Sequence, residues 1–102
     1  MHSKGVAHRD LKPENILVKK NGNNPDPLSM IVKIADLGSS KFLDFSDKRM
    51  NTPYIVSRYY RAPELILGSH LYNFSIDIWS AGCILFELMT KTPLFPGDSE
   101  GL

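Results

Sequence analysis

The chain of 102 residues has a single cysteine, Cys83. That excludes a disulfide framework and a Cys-rich zinc site. No apolar run approaches the ~18 residues that a membrane-spanning helix requires, so no membrane partner is expected. Residues 1–5, Met-His-Ser-Lys-Gly, lack the apolar core of a secretory signal. An intracellular location, in cytoplasm or nucleus, is therefore expected. Internal repeats, low-complexity tracts and a domain linker are all missing, so the chain reads as one unit at most. Net charge is only +1, from 12 Lys and Arg against 11 Asp and Glu, and no nucleic-acid partner is expected.

What is present is the composition of an ordinary folded protein, 42% hydrophobic and 23% charged. The charge is unevenly spread. Residues 1–61 carry 11 basic and 6 acidic side chains, and residues 62–102 carry 1 and 5. A basic half beside an acidic half suits an anionic ligand near the first half, although a solvated surface of uneven charge would look the same. Two short apolar runs, residues 16–18 and 30–35, flank a polar stretch rich in Asn, Gly, Asp and Pro at 19–29. That pattern predicts two strands in a hairpin with an enlarged turn. Residues 39–60 mix charge, hydroxyls and aromatics without a period and predict a long irregular segment. Residues 62–67 predict a short helix, with Pro63 in its first turn and Gly68 as its stop.

The strongest helix signal covers residues 75–91. Asn73 or Ser75 can cap its start, Asp77 suits its positive end, Lys91 suits its negative end, and Pro93 forbids continuation. Its apolar residues are not confined to one face, which predicts a central, buried helix. The remainder of the chain is too small to cover such a helix, which implies partner structure.

His8-Arg9-Asp10-Leu11-Lys12-Pro13-Glu14-Asn15 reads H-R-D-L-K-P-E-N and fits the catalytic-loop pattern H-R-D-L-x-x-x-N at every fixed position. Asp36-Leu37-Gly38 follows where D-F-G is expected, and Ala62-Pro63-Glu64 forms A-P-E. Taken singly, Asp10, Asn15 and Asp36 read as turn or cap residues and Lys12 as a surface lysine. In this order they resemble a eukaryotic protein kinase along the whole chain. The stretches S-R-Y-Y-R-A-P-E-L at 57–65, I-D-I-W-S-A-G-C at 76–83 and F-P-G-D-S at 95–99 narrow the resemblance to the proline-directed supergroup, and within it to glycogen synthase kinase 3.

The resemblance implies an α+β, protein-kinase-like fold. Residues 1–102 would be part of one kinase domain, running from the catalytic loop to just after the central helix of the carboxy-terminal lobe. It implies a Ser/Thr protein kinase that uses ATP and Mg²⁺ on a protein substrate. Asp10 would accept the substrate hydroxyl proton, and Lys12 would steady the transferring phosphoryl group. Asn15 and Asp36 offer hard oxygen atoms of the kind Mg²⁺ takes beside nucleotide phosphates. They can converge only if the chain between them folds back, as the predicted hairpin does. His8 is expected in a packing and hydrogen-bonding role. Asp77 would brace the catalytic loop, and Glu64 would pair with an arginine further along a kinase chain. Tyr54 matches an activation-loop tyrosine, and Thr52 with Tyr54 also reads as the T-x-Y dual site of mitogen-activated kinases. Arg9 and Lys41 correspond to two of three basic residues that hold a pre-phosphorylated substrate, and Arg9 can alternatively tether the segment's own backbone. Leu37 replaces the usual Phe and is expected to remain an apolar plug beside Asp36.

Absent from the chain are a G-x-G-x-x-G loop, the V-A-I-K lysine and its partner glutamate. The expectation is about two-fifths of a kinase domain of roughly 250 residues, inactive on its own. A non-catalytic binding role is the other reading of the same absence. The stretch 19–29 has no assigned role.

Overall fold

The computed structural model describes residues 1–43 and 58–97. Two small antiparallel sheets and one long helix make up the described architecture, an α+β arrangement. Strand β1 (Val6–Ala7) follows a 3-10 turn at His2–Lys4, and Gly5 between them takes φ 78°, a left-handed value that a residue without Cβ adopts easily. Strands β2 (Ile16–Lys19) and β3 (Ile31–Ile34) form the predicted hairpin, with Ile16 opposite Ile34 and Lys19 opposite Ile31. The observed strands differ from the expected runs by only one residue at three of their ends. The enlarged turn holds a 3-10 turn at Pro27–Ser29, capped by the Asp26 carboxylate, which accepts the Leu28 N–H at 2.9 Å.

Strand β4 (Lys41–Phe42) pairs with β1, Ala7 facing Lys41, and the Leu43 N–H extends the ladder to the Gly5 carbonyl at 2.9 Å. This sheet was not foreseen, because strands of two residues carry no readable alternation. Helix α1 (Pro63–Ile66) and helix α2 (Ser75–Thr90) fall within the predicted spans, and Gly68 has φ 80°. Lys91 ends α2 as a left-handed cap with φ 62°, so it closes the helix through its backbone. At the other end Asn73 Oδ1 accepts the Ser75 N–H at 2.8 Å, and Ser75 itself caps nothing.

The core is small: Ala7, Leu43, Ala62, Leu65, Tyr72 and Ile76, with Phe74 packed on it. It gathers β1, the end of β4, α1 and the first turn of α2. The helix of buried type that the rest of the chain is too small to cover is found only partly covered. Within α2 only Ile76, Asp77, Ser80 and Cys83 are buried. Leu88 and Met89 are 73% and 78% exposed. The described part of the chain contacts one side of the helix and supplies nothing for the others. Both faces of the β2–β3 hairpin are exposed for the same reason, with Leu17, Val18, Val32 and Ile34 in the open.

Candidate functional site

Strand β1 delivers the chain to His8, and three hydrogen bonds then shape the next residues. The Asp77 carboxylate, in the first turn of α2, accepts the His8 N–H at 2.8 Å and the Arg9 N–H at 2.9 Å. Arg9 takes φ 72°, a value that a residue bearing a Cβ keeps only where its surroundings hold it. The Asp10 N–H then donates to His8 Nδ1 at 3.1 Å. Since Nδ1 accepts, Nε2 carries the ring hydrogen and donates it to the Ala35 carbonyl at 2.8 Å. His8 is thus neutral in this arrangement, and it ties the loop before Asp10 to the residue before Asp36.

Asp10 is only 6% exposed. Its Oδ2 lies 3.7 Å from Lys12 Nζ and 3.5 Å from Asn15 Nδ2. Its Oδ1 is buried and accepts no hydrogen bond among the described residues. A buried carboxylate oxygen without a donor is costly unless something else supplies one. Asn15 sits at the end of a 3-10 turn, Pro13–Asn15, whose proline fits the first position. Its Nδ2 donates to the Asp10 carbonyl at 2.8 Å, which leaves its amide oxygen to face away from that bond. The Asn15 carbonyl accepts the Ala35 N–H at 2.8 Å, so the fold-back expected of the hairpin brings residue 35 against residue 15.

Asp36 follows directly, in the left-handed region at φ 57°, which Asp tolerates better than most. Its Oδ1 accepts the Gly38 N–H at 3.2 Å and caps the 3-10 turn Leu37–Ser39. Asp36 is exposed. Two oxygen-bearing side chains, Asn15 and Asp36, therefore stand on chain segments bonded to each other. The donor set suits Mg²⁺, which needs few protein oxygens because it keeps waters and takes phosphate oxygens. Among the described residues no group of three or more His, Cys, Asp or Glu side chains could hold a metal ion. Leu37 is 59% exposed. The expected plug beside Asp36 is therefore absent, since no described element covers that side of the turn.

Arg9 points toward the segment after Asp36. Its Nε donates to the Ser39 carbonyl at 2.6 Å and its Nη1 to the Tyr72 hydroxyl at 3.0 Å. Lys41 lies in β4 opposite Ala7, which precedes Arg9 by two residues. Glu64, in α1, is half-buried and its carboxylate makes no ion pair among the described residues. Thr52 and Tyr54 lie outside the described residues.

Several contributors escaped the sequence reading. His2 Nε2 donates to Asp77 Oδ2 at 2.8 Å while its ring stacks on Phe74, centroids 4.7 Å apart. Tyr60 donates from its hydroxyl to Glu87 Oε1 at 2.5 Å, and Ser80 donates to the Tyr60 carbonyl at 2.5 Å. Burial, then the Glu87 carboxylate, pushes the Tyr60 hydroxyl well above the usual phenol range. Burial likewise raises the Cys83 thiol. These contacts join residues tens of positions apart, and no local pattern announces them.

Two comparisons bear on this arrangement. The protein kinase domain family matches residues 1–101. A protein named "Glycogen synthase kinase 1", from Pyricularia oryzae, is 50% identical over 99 residues, 97% of this chain. The chain spans 23% of the length of that curated relative.

Proposed function

This chain belongs to the protein kinase family, and from that premise we propose that it carries the phosphoryl-transfer loop of a Ser/Thr kinase similar to glycogen synthase kinase 3. The observation that carries the reading is Asp10 Oδ1, a buried carboxylate oxygen with no donor among the described residues. A substrate hydroxyl is the donor such an oxygen lacks, and the same oxygen then takes its proton. Lys12, held beside the carboxylate, supplies positive charge where the transferred group passes. Asn15 and Asp36 would hold Mg²⁺, which would neutralise charge on the phosphoryl group that ATP would supply. His8 and Asp77 hold the loop's backbone and take no part in proton transfer. Arg9 and Lys41 form a subsite for a phosphate already present on the protein substrate. The 102 residues alone do not perform the transfer, because the family's nucleotide-covering loop and its lysine are not among them.

The test is phosphorylation of a protein substrate by the natural full-length protein with ATP and Mg²⁺, followed by identification of the phosphorylated residue. Phosphoserine or phosphothreonine is expected, and Asp10→Asn should lower kcat by about 10²–10⁴-fold. Unchanged kcat in Asp10→Asn, or phosphotyrosine as the main product, would overturn the reading.

A further inference from the structure

Arg9 is gripped at both ends. Its backbone is set by the Asp77 carboxylate at a φ of 72°. Its guanidinium donates from Nε to the Ser39 carbonyl and from Nη1 to the Tyr72 hydroxyl, at 2.6 and 3.0 Å. Tyr72 precedes α2 and belongs to the core cluster with Ala7, Leu43, Ala62, Leu65 and Ile76. Packing fixes the ring, so the hydroxyl is a fixed acceptor at the edge of that core.

A guanidinium recognises phosphate through a planar fork, and a side chain that nothing holds loses rotamer entropy when it binds. An acceptor on one η-nitrogen and another on Nε together set the plane of that fork before any anion arrives. Lys41, on the strand paired with β1, places a second cation near the same loop. We propose that Tyr72 is the specificity-determining residue of the Arg9–Lys41 subsite. Its hydroxyl presets the Arg9 fork for the phosphate monoester borne by a protein substrate. The proposal rests on the reading of that subsite given above. Tyr72 touches Arg9 rather than the substrate, so it acts as a positioning residue.

Tyr72→Phe isolates the hydroxyl, because the ring and its packing stay. The readout is the ratio of kcat/KM for two peptides identical except for one phosphoserine, measured with the natural full-length protein. Wild type is expected to favour the phosphorylated peptide. Tyr72→Phe should reduce that preference about 5- to 10-fold, and inorganic phosphate should compete with the phosphorylated peptide less well than in wild type. An unchanged ratio, or equal slowing of both peptides as a purely structural defect would give, overturns the proposal. Arg9→Ala separates it from the reading beneath it. If Arg9→Ala abolishes the preference and Tyr72→Phe does not, only the role of Tyr72 falls. If Arg9→Ala leaves the preference intact, or wild type shows none, the phosphate subsite falls and the role of Tyr72 with it.

Discussion

In the first turns of α2, Ile76, Asp77, Ser80 and Cys83 are buried, and the polar members among them are bonded to residues far away in sequence. In the last turns, Leu85, Leu88 and Met89 face outward. One helix of similar apolar content throughout thus has two different fates. The first half meets β1, the loop after it and the turn at Arg58–Tyr60; in the second half Tyr60 reaches Glu87, while the faces that carry Leu85, Leu88 and Met89 are left uncovered by described residues. The difference shows that the bracing of the loop's backbone closes within the described residues, while Asp10 Oδ1 is left open to a donor from outside them. The Asp77 carboxylate, His8 and the Asn15–Ala35 bond all close within the described residues. The apolar surface also remains unmatched. Trp79 and Phe95 do stack, centroids 5.7 Å apart, yet they line an open groove with Ile78, Phe86 and Leu94.

The largest effect is expected from removing Asp77. Asp77→Ala leaves the N–H groups of His8 and Arg9 buried without acceptors, each costing about 1–3 kcal/mol. In the natural full-length protein a loss of about 3 kcal/mol is expected by denaturant unfolding. A loss below about 0.5 kcal/mol would show that the loop does not depend on that carboxylate.

Tyr60→Phe comes next. It deletes a hydrogen bond to a carboxylate in a buried spot, for an expected loss of about 1.5–3 kcal/mol near neutral pH. The pH dependence gives the sign. The hydroxyl pKa is raised in the fold, chiefly by burial, so its contribution is fully present below the ordinary phenol pKa of about 10 and fades as pH rises past it. The gap between wild type and Tyr60→Phe should therefore shrink at alkaline pH. A gap that widens there contradicts the assignment.

The smallest effect is expected at the other end of the helix. Leu88→Glu in the 102-residue chain should change helix content, read by circular dichroism, very little, since surface changes cost within about 0.5 kcal/mol. The same change in the natural full-length protein should cost more than about 2 kcal/mol if that face is covered there. Equal small costs in both settings would show that the exposed face is a true surface.

Much of the site was legible in the sequence because catalytic-loop residues lie close together along the chain. The order His8, Asp10, Lys12, Asn15, and later Asp36, was readable without coordinates, and so was the hairpin that folds Ala35 back on Asn15. Strand pairing between residues 6–7 and 41–42 was not, since two residues carry no period. The apolar character of α2 was read as that of a helix needing more cover than this chain supplies, and its exposed faces agree with that. The plug expected at Leu37 failed, since an apolar residue type does not say whether a neighbour is present.

The chemical identities at the loop, their order, the long helix with its proline stop and kinship with the protein kinases were readable along the chain. These follow from local patterns, where spacing along the chain is also spacing in space. Tertiary packing alone sets that His2 and Asp77 meet, that Tyr72 holds Arg9, that the Tyr60 hydroxyl donates a hydrogen bond to Glu87, and which side of α2 is covered. Those contacts join segments 27 to 75 residues apart. Their partners are chosen by how the core packs, and packing is a property of the whole fold that no local window contains.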